Sequence, residues 1–300
     1  MIGLILNPAH GDEQRRERVF KGDILIYNGL PGLMALVDHS KAMIAEAFAP
    51  HDPETAQYEM TVEEFIRRVA PLKSGFTNGQ KTKELMREFL IEFGCDPDST
   101  YYDLPRLRVV PSDDFLTSGV SYAYKAHRDI WYAHPVSLVN FWLPVFDIPP
   151  ECAMSMFPRY FNQAVENVSA VFDYDDWVKN SRTQAVTQVG QDVRPHPLPK
   201  EPIETAGEVR IAGRGGDVMV FSGCHLHATA PNRAGKTRFS IDFRTIDLGD
   251  VAAGRGGPNP DSDATGTTLG DFLRVSDLAP FDVSKIDLRR AHPAKQPVLA

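Results

Sequence analysis

The sequence predicts a mainly β fold, of the sandwich or barrel class, that follows a helical segment. Between residues 100 and 248, short stretches rich in Val, Ile, Phe, Tyr and Thr follow one another, separated by Pro, Gly and Asp. Their succession without intervening long helices argues against a doubly wound parallel sheet. Residues 1–99 instead repeat apolar side chains at helical spacing.

The helical segment is predicted to contain at least three helices. One covers residues 32–49, where apolar side chains recur every three or four positions. Another begins at Thr61, and Glu64 three positions later completes the pattern of a capping box. A third follows from residue 79 and ends at Gly94. We expect these helices to support one face of a sheet.

The central segment is predicted to contain seven strands and one long connection. The connection, residues 160–184, includes some helix, and residues 249–300 form a loop-rich C-terminal arm rich in Gly, Pro and Asp. Whether this arm packs on the core, closes a site or contacts another subunit is left open. The predicted strands cover residues 107–111, 120–132, 136–146, 152–158, 208–213, 216–230 and 237–246.

The composition is that of a globular protein with a substantial core. Hydrophobic residues make up 42% of the chain, charged residues 24%, and the formal net charge is −8. This charge gives no reason to expect binding to nucleic acid or to an anionic membrane, so an anionic ligand would need local arginines. No segment reaches the length of a transmembrane helix or has the pattern of a signal peptide.

The cysteines point to a cytoplasmic protein. Cys95, Cys152 and Cys224 are odd in number, far apart and without a CxxC pair. A disulfide framework or a zinc–thiolate site is therefore not expected. Free thiols suit a reducing compartment.

A histidine and a carboxylate stand two positions apart in a predicted strand. Side chains two apart share a face, so His127 and Asp129 are predicted to project together, with Arg128 on the opposite face. Two histidines and one carboxylate form the facial triad of non-haem Fe(II) oxygenases. A later predicted strand offers His225 and His227, which also share a face, so parity alone does not choose between them.

The last predicted strand alternates polar and apolar side chains. An arginine and a hydroxyl on an inward face can bind a carboxylate by charge-assisted hydrogen bonds. A dicarboxylate that chelates a metal through one end needs such an anchor at its other end. The polar face carries Arg238, Ser240, Asp242 and Arg244, and the apolar face carries Phe239, Ile241 and Phe243.

These motifs, "HRD" at 127–129 and "FSGCHLHATAPNRAGKTRFSIDFR" at 221–244, resemble the Fe(II)/2-oxoglutarate-dependent dioxygenases, on the phytanoyl-CoA dioxygenase-like side. The resemblance covers roughly residues 100–248 and implies a double-stranded β-helix, that is, a jelly-roll or cupin-like core. We therefore predict one catalytic domain over residues 1–300. Its parts are helical support (1–99), the β-helix core with the metal site (100–248) and the arm (249–300).

The resemblance also implies the roles of the motif residues. His127, Asp129 and His227 would bind Fe(II). Arg238, eleven positions after His227, would bind the 2-oxoglutarate carboxylate, and this spacing favours His227 over His225. Ser240, Thr229 and Asn140 are further candidates for contact with 2-oxoglutarate; Asn140 could equally pair with the backbone.

Six further residues are candidates for the substrate pocket, each with a simpler alternative. The aromatic ones could belong to the core, His225 could be structural, and Arg159 could be a solvated surface residue. Arg244 could pair with Asp242 or serve as a second anchor for the co-substrate. The six are Trp131, Tyr132, Trp142, His225, Arg159 and Arg244.

The function implied is oxidation of a small molecule by O2, with release of succinate and CO2. Hydroxylation is the default, while desaturation, cyclisation and epimerisation stay open. Because Asp129 is retained as a carboxylate ligand, we expect no halogenase activity. The alternatives are a cupin-like metalloenzyme that does not use 2-oxoglutarate, or a non-catalytic binding protein on the same fold. The sequence leaves the oligomeric state open, with a homodimer as one option.

Overall fold

A large sheet and a small sheet form the centre of the structure. The computed structural model describes residues 2–122, 125–188 and 190–295. In chain order, the strands are β1 (Leu4–Leu6), β2 (Ile24–Tyr27), β3 (Thr100–Tyr102), β4 (Arg106–Val110), β5 (Val139–Pro144), β6 (Met154–Met156), β7 (Val209–Arg210), β8 (Val218–Ser222), β9 (His227–Thr229), β10 (Arg238–Asp247) and β11 (Leu273–Arg274). The helices are α1 (Asp12–Phe20), α2 (Pro31–Phe48), α3 (Val62–Asn78), α4 (Gln80–Glu92), α5 (Tyr174–Asn180), α6 (Leu248–Ala253) and α7 (Leu288–Ala291).

The large sheet has eight strands in the order β1-β2-β8-β5-β10-β3-β11, and β4 also pairs with β10. The small sheet has the order β7-β6-β9. This mainly β architecture with flanking helices, of the jelly-roll type, confirms the predicted fold class. The sheet is open and does not close into a barrel. Among the described residues, every helix is too short or too polar to cross a bilayer.

Helices α2, α3 and α4 cover one face of the large sheet. The apolar face of β10 points toward them, because Phe239 packs edge-on against Phe48 of α2 and Phe243 against Phe89 of α4. Each such ring, removed from water, stabilises the fold by about 1.5–3 kcal/mol. The polar face of β10 is thereby turned to the other side of the sheet, toward the small sheet.

The helical signals of the sequence are confirmed in outline. Thr61 and Glu64 make both hydrogen bonds of a capping box at the start of α3. The chain leaves α4 at Gly94, whose φ of +85° lies in the left-handed region that favours glycine. The sequence did not predict β1 and β2, which lie in the first 99 residues and join the large sheet.

Two predicted strands differ from the structure. Over the described part of residues 120–132 there is no strand: His127 makes an isolated bridge, and a 3-10 helix begins at Asp129. Residues 123–124 of this prediction lie outside the described residues. The predicted strand 216–230 is divided by a turn at Gly223 and Cys224 into β8 and β9, which belong to different sheets.

The C-terminal arm packs back on the core over its described length. Its strand β11 pairs with β3, and Leu269 and Phe272 are buried with Leu138 and Ile246 of the core. Packing on the core, one of the options left open by the sequence, is therefore observed, and Thr268, Asp271 and Phe272 of the arm also line a cavity described below.

Candidate metal centre

Three buried side chains converge between the two sheets. One ligand atom each from His127, Asp129 and His227 lies within 4.8 Å of the others. Within the described part of the chain, this is the one such group of histidine, cysteine and carboxylate side chains. The arrangement therefore has the composition of a facial triad.

Backbone hydrogen bonds hold the two histidines side by side. The amide of His127 donates to the carbonyl of His227 at 2.9 Å, and the amide of His227 donates to the carbonyl of His127 at 3.0 Å. Their imidazole centroids are 4.4 Å apart. The amide of Asp129 donates to Gly223 O at 2.9 Å. A Cβ at Gly223 would lie only 2.7 Å from Leu138 Cδ2, so this close approach requires glycine.

Each histidine presents its Nε2 to the centre. Nδ1 of His127 is 2.7 Å from Lys125 O, and Nδ1 of His227 is 3.0 Å from His225 O. A carbonyl can only accept, so Nδ1 carries the proton in both rings and Nε2 keeps its lone pair. Burial, and then the neighbouring His227, lowers the pKa of His127 to about 3. His127 is therefore neutral near pH 7, as a metal ligand must be.

Asn140 and Arg244 orient the carboxylate of Asp129. Nδ2 of Asn140 donates to Oδ2 of Asp129 at 2.5 Å, and Nη2 of Arg244 lies 3.5 Å from Oδ1. Burial alone would raise the pKa of Asp129, but Arg244 and the nearby histidines outweigh it and hold that pKa below its usual range. Asp129 is therefore an anion in the folded protein.

Arg244 is surrounded by carboxylates. Its Nη1 donates to Asp103 at 2.9 Å, and its Nη2 lies 3.7 Å from Asp242 in addition to the contact with Asp129. Burial would lower the pKa of Arg244, but these carboxylates raise it above its ordinary value. Of the two predicted roles, the pairing with Asp242 is present as a long contact, and Asp103 is the closer partner.

A cavity of about 610 Å3 opens beside the two histidines, between the large and the small sheet. β10 and β5 contribute their polar faces to it, which the register explains because Arg244 pairs with Asn140 and Asp242 with Trp142. Among its lining residues are His127, His227, Thr229, Asn140, Trp142, Arg238 and Arg244.

Arg238 is buried at this cavity with few partners. Its Nη1 donates to Cys152 O at 3.0 Å, while its Nε has no hydrogen-bond partner among the described residues. The buried hydroxyl of Ser240, on the same strand face, also has none in that part of the chain. Burial lowers the pKa of Arg238 only to about 10, so the guanidinium is charged near pH 7. A buried cation and hydroxyl without an acceptor fit a carboxylate ligand, such as the far end of 2-oxoglutarate.

A second cavity, of about 880 Å3, also reaches the metal centre and shares Arg108, His127 and Arg244 with the first. Its wall combines aromatic side chains with charged ones. Prominent among the lining residues are Asp103, Arg106, Arg108, Asp129, Tyr132, His134, Phe172, Trp177, Arg182 and Asp271. Both cavities thus contact the metal centre, the first at His127 and His227 and the second at His127 and Asp129.

Besides Arg244, which lines both cavities, two of the predicted pocket residues line one cavity each. Trp142 lines the first, where the guanidinium of Arg238 lies 5.6 Å from its ring centroid. Tyr132 lines the second, edge-on to His127, with its hydroxyl 3.1 Å from His196 Nδ1.

Three other predicted pocket residues lie elsewhere. The fully buried Trp131 packs in a separate apolar cluster, because the chain turns into a 3-10 helix at Asp129. His225 lies in the bend before β9, where its Nε2 is 2.9 Å from Gly22 O and its ring packs against Phe161. Arg159 is largely exposed and forms an ion pair with Glu204. For these three, the simpler alternatives hold.

The strand β4 contributes two arginines to the second cavity that were not predicted as site residues. Arg106 and Arg108 of this strand both line the second cavity, while Leu107 and Val109 belong to the helix-covered core. The alternation of arginine with apolar residues over 106–109 was the available signal. His134 also lines this cavity, with Nδ1 2.8 Å from Thr268 Oγ1.

Solved structures that resemble the chain include EvdO2 from Micromonospora carbonacea var. aurantiaca, crystallised with 2-oxoglutarate. It shares 11% identity at a TM-score of 0.44, over 80% of this chain and 92% of that one. EctD from S. alaskensis, with bound Fe, shares 12% identity at a TM-score of 0.43, over 95% of this chain and 88% of that one. The epimerase SnoN, in complex with Fe3+, alpha ketoglutarate and nogalamycin RO, shares 12% identity at a TM-score of 0.40, over 79% and 85%. At these identities and TM-scores, the likeness does not bear on the ligands of this chain.

The sequence itself matches one family. Residues 109–240 match the phytanoyl-CoA dioxygenase (PhyH) family, and no curated protein shows significant similarity to the chain. The match covers a little under half of the chain and includes all three residues of the triad together with Arg238 and Ser240. Residues 109–240 are thus similar to a phytanoyl-CoA dioxygenase-type domain, and the buried His127, Asp129 and His227 lie within the matched region.

Proposed function

We propose that the protein uses Fe(II), 2-oxoglutarate and O2 to oxidise a small molecule, most simply by hydroxylation, with release of succinate and CO2. One observation carries this proposal. The two histidines of a buried His–Asp–His triad share a cavity with a buried, charged arginine, Arg238, that has no carboxylate partner among the described residues. A metal and a dicarboxylate together would use both features.

His127, Asp129 and His227 would hold Fe(II), leaving the other coordination positions open. With 2-oxoglutarate bound, Fe(II) would supply the activation of O2 for the oxidation. The protein's own part is to keep the imidazole of His127 neutral, to orient Nε2 of both histidines through the Nδ1 hydrogen bonds and to hold Asp129 as an anion. Because Asp129 supplies a carboxylate, we propose an oxygenase and not a halogenase.

Arg238 would bind the far carboxylate of 2-oxoglutarate, assisted by Ser240 and Thr229. Arg238 and Thr229 line the same cavity as the histidines, and Ser240 lies two residues from Arg238 on the same strand face. Asn140 also lines this cavity; its Nδ2 donates to Asp129, and the rest of its amide would be available to contact 2-oxoglutarate. Arg244 would act as the counter-ion of Asp129.

The second cavity would admit the substrate. It meets the metal centre at His127 and Asp129, and its wall offers aromatic rings beside arginines and carboxylates. Such a wall suits a small molecule with both apolar and polar groups. Trp177 and Phe172 would pack against the apolar part.

We propose one cytoplasmic catalytic domain over residues 1–300, with the arm as part of its core. Cys95, Cys152 and Cys224 are all unpaired and buried, which suits a reducing compartment. Neither the charge nor the helices call for nucleic acid or a membrane as a partner.

The test is an assay of 2-oxoglutarate conversion to succinate with Fe(II), with and without a set of candidate substrates. We expect conversion that depends on both Fe(II) and 2-oxoglutarate and is lost in His127→Ala and Asp129→Ala. Arg159→Met, which removes an exposed arginine, is the control and should convert like the wild type. Continued conversion in the triad variants would contradict the proposal. A metal-dependent reaction that needs no 2-oxoglutarate would instead support the cupin-like alternative.

A further inference from the structure

Arg128 lies between two residues of the triad and is fully buried. The sequence placed it on the opposite face from the triad, and the structure agrees, although that face is interior and not solvent. Its Nη1 donates to Cys224 O at 2.6 Å, and its Nη2 donates to Tyr160 O at 2.7 Å and to Gln163 O at 2.8 Å. Its Nε donates to Oδ2 of Asp261 at 3.0 Å. The guanidinium of Arg128 thus joins its own segment to three others, which carry Cys224, Tyr160 with Gln163, and Asp261.

Asp261 comes from the C-terminal arm and is buried. Besides Arg128, it accepts hydrogen bonds from Trp131 Nε1 at 2.7 Å and from the amide of Val165 at 2.9 Å. Asn259 in turn accepts from the amide of Asp261. The carboxylate is therefore the common partner of residues on both sides of Asp129 in the chain, one before it and one after it.

We propose that Asp261 is a positioning residue for the metal centre, acting through Arg128 and Trp131. The inference rests on the proposed function, because it assumes that His127, Asp129 and His227 hold the metal. The C-terminal arm then supports the ligand-bearing segment through Asp261.

The physical reason is the shape of the ligand-bearing segment. His127 and Asp129 do not lie on a continuous strand, so the sheet ladder fixes His127 through a single bridge and Asp129 through one amide bond to Gly223. Arg128 and Trp131 need a further anchor to hold the turn that aims the two ligands together. Without the Asp261 carboxylate, Arg128 would be a buried cation without a counter-ion, and the turn would shift to rehydrate or re-pair it.

A merely structural ion pair would affect stability alone, so the test compares two buried aspartates of the arm. Asp250 on α6 accepts from Arg16 Nε at 2.6 Å and from Arg255 Nε at 2.6 Å, and its partners belong to α1 and to the arm. Asp261→Asn and Asp250→Asn remove the same charge with the same change of shape. The affinity of each folded protein for Mn(II) is measured by titration calorimetry, without 2-oxoglutarate, together with its melting temperature.

Both variants are expected to melt below the wild type, and only Asp261→Asn is expected to bind Mn(II) more weakly, by about tenfold. Equal Mn(II) affinity in Asp261→Asn and the wild type, or an equal loss in both variants, would overturn the inference while the proposed function stands. A wild-type protein that binds no Mn(II) would overturn the proposed function and the inference with it.

A milder variant covers the case in which Asp261→Asn does not fold. Trp131→Phe removes the indole N–H donor to Asp261 and leaves the Arg128 pair in place. We expect it to weaken Mn(II) binding by a few fold. Wild-type affinity in folded Trp131→Phe would overturn the inference in that case.

Discussion

Arg238 and Arg244 are two arginines on the same face of the same strand, six positions apart, and they have opposite surroundings. Arg244 contacts three carboxylates, those of Asp103, Asp129 and Asp242. Arg238 donates one hydrogen bond to the carbonyl of Cys152 and makes no ion pair with any described carboxylate. The pKa shifts follow this difference: carboxylates raise that of Arg244, and burial lowers that of Arg238 to about 10.

This difference indicates that Arg244 is a permanent counter-ion within the fold and that Arg238 is a group for binding a ligand. A buried cation without a counter-ion is costly, and a fold keeps one where a ligand supplies the missing charge. Arg244 is neutralised within the protein and holds Asp129 in place. Arg238 would be neutralised only when a carboxylate enters the cavity that it shares with His127 and His227.

The largest effect is expected from Arg244→Met. Asp103 keeps its ion pair with Arg106, and Asp242 keeps that with Arg108, but the buried carboxylate of Asp129 loses its arginine. This loss should cost about 3–5 kcal/mol of the free energy of unfolding. Urea denaturation monitored by circular dichroism measures it. A loss below about 1 kcal/mol, of the size found for surface ion pairs, would contradict the role of Arg244 as a counter-ion that the fold requires.

Arg238→Met should instead change the binding of 2-oxoglutarate and leave the free energy of unfolding almost unaffected. It removes the partner of the incoming carboxylate, so the KM for 2-oxoglutarate should rise at least about 30-fold, which corresponds to about 2 kcal/mol. Stability should be unchanged or slightly higher, because the variant loses a buried charge that has no counter-ion. Steady-state kinetics and the same denaturation experiment measure the two quantities. An equal rise in the KM for 2-oxoglutarate and for the substrate would argue against the role of Arg238.

Ser240→Ala tests whether the hydroxyl beside Arg238 binds the same carboxylate of 2-oxoglutarate. A hydroxyl that donates to a charged acceptor contributes about 1.5 kcal/mol, so the KM for 2-oxoglutarate should rise about tenfold. The free energy of unfolding should not fall, because the hydroxyl has no partner among the described residues. A marked loss of stability with an unchanged KM would show that Ser240 serves the fold.

Lowering the pH should destabilise the folded protein through protonation of His134, which lies near Arg244. Burial, and then Arg244, lowers the pKa of His134 to about 3. Between about pH 6.5 and pH 3 the unfolded chain therefore binds a proton that the folded protein does not, and stability is lost as the pH falls. Since His134 is partly exposed, we expect this histidine to account for about 1 kcal/mol at pH 5. Thermal melts at pH 7 and pH 5 should show a smaller difference in His134→Asn than in the wild type; an equal difference would contradict this assignment.

The alternation on β10 was predictable from the sequence, because a buried strand must send alternate side chains to opposite faces. Phe239 and Phe243 reach the helices, and Arg238 reaches the cavity, as the pattern indicates. The same alternation argument predicted that His127 and Asp129 project together, and they do, but it assumed that both lie on one continuous strand. His127 is extended in its bridge, but the chain turns at Asp129, and the sequence does not show the hydrogen bond to Gly223 that makes the turn.

Contacts between segments that are distant in the sequence could not be predicted from it. Parity could not separate His225 from His227 because it assumed one continuous strand, whereas a turn at Gly223 leaves His225 outside β9. The anchor at Asp261 could not be found either, since it lies 133 positions from Arg128 in a segment rich in Gly, Pro and Asp. Such a composition predicts a loop and gives no sign that one of its carboxylates is buried.

The central claim is that Arg238, and not Arg244, receives the carboxylate of a co-substrate chelated at the metal centre. Anaerobic titration of the Fe(II)-loaded protein with 2-oxoglutarate tests it most directly, because chelation by the keto acid gives a weak visible charge-transfer band. The account predicts the band in the wild type, and in Arg238→Met only at 2-oxoglutarate concentrations at least about 30-fold higher. No band in the wild type, or the same midpoint in both proteins, would contradict it.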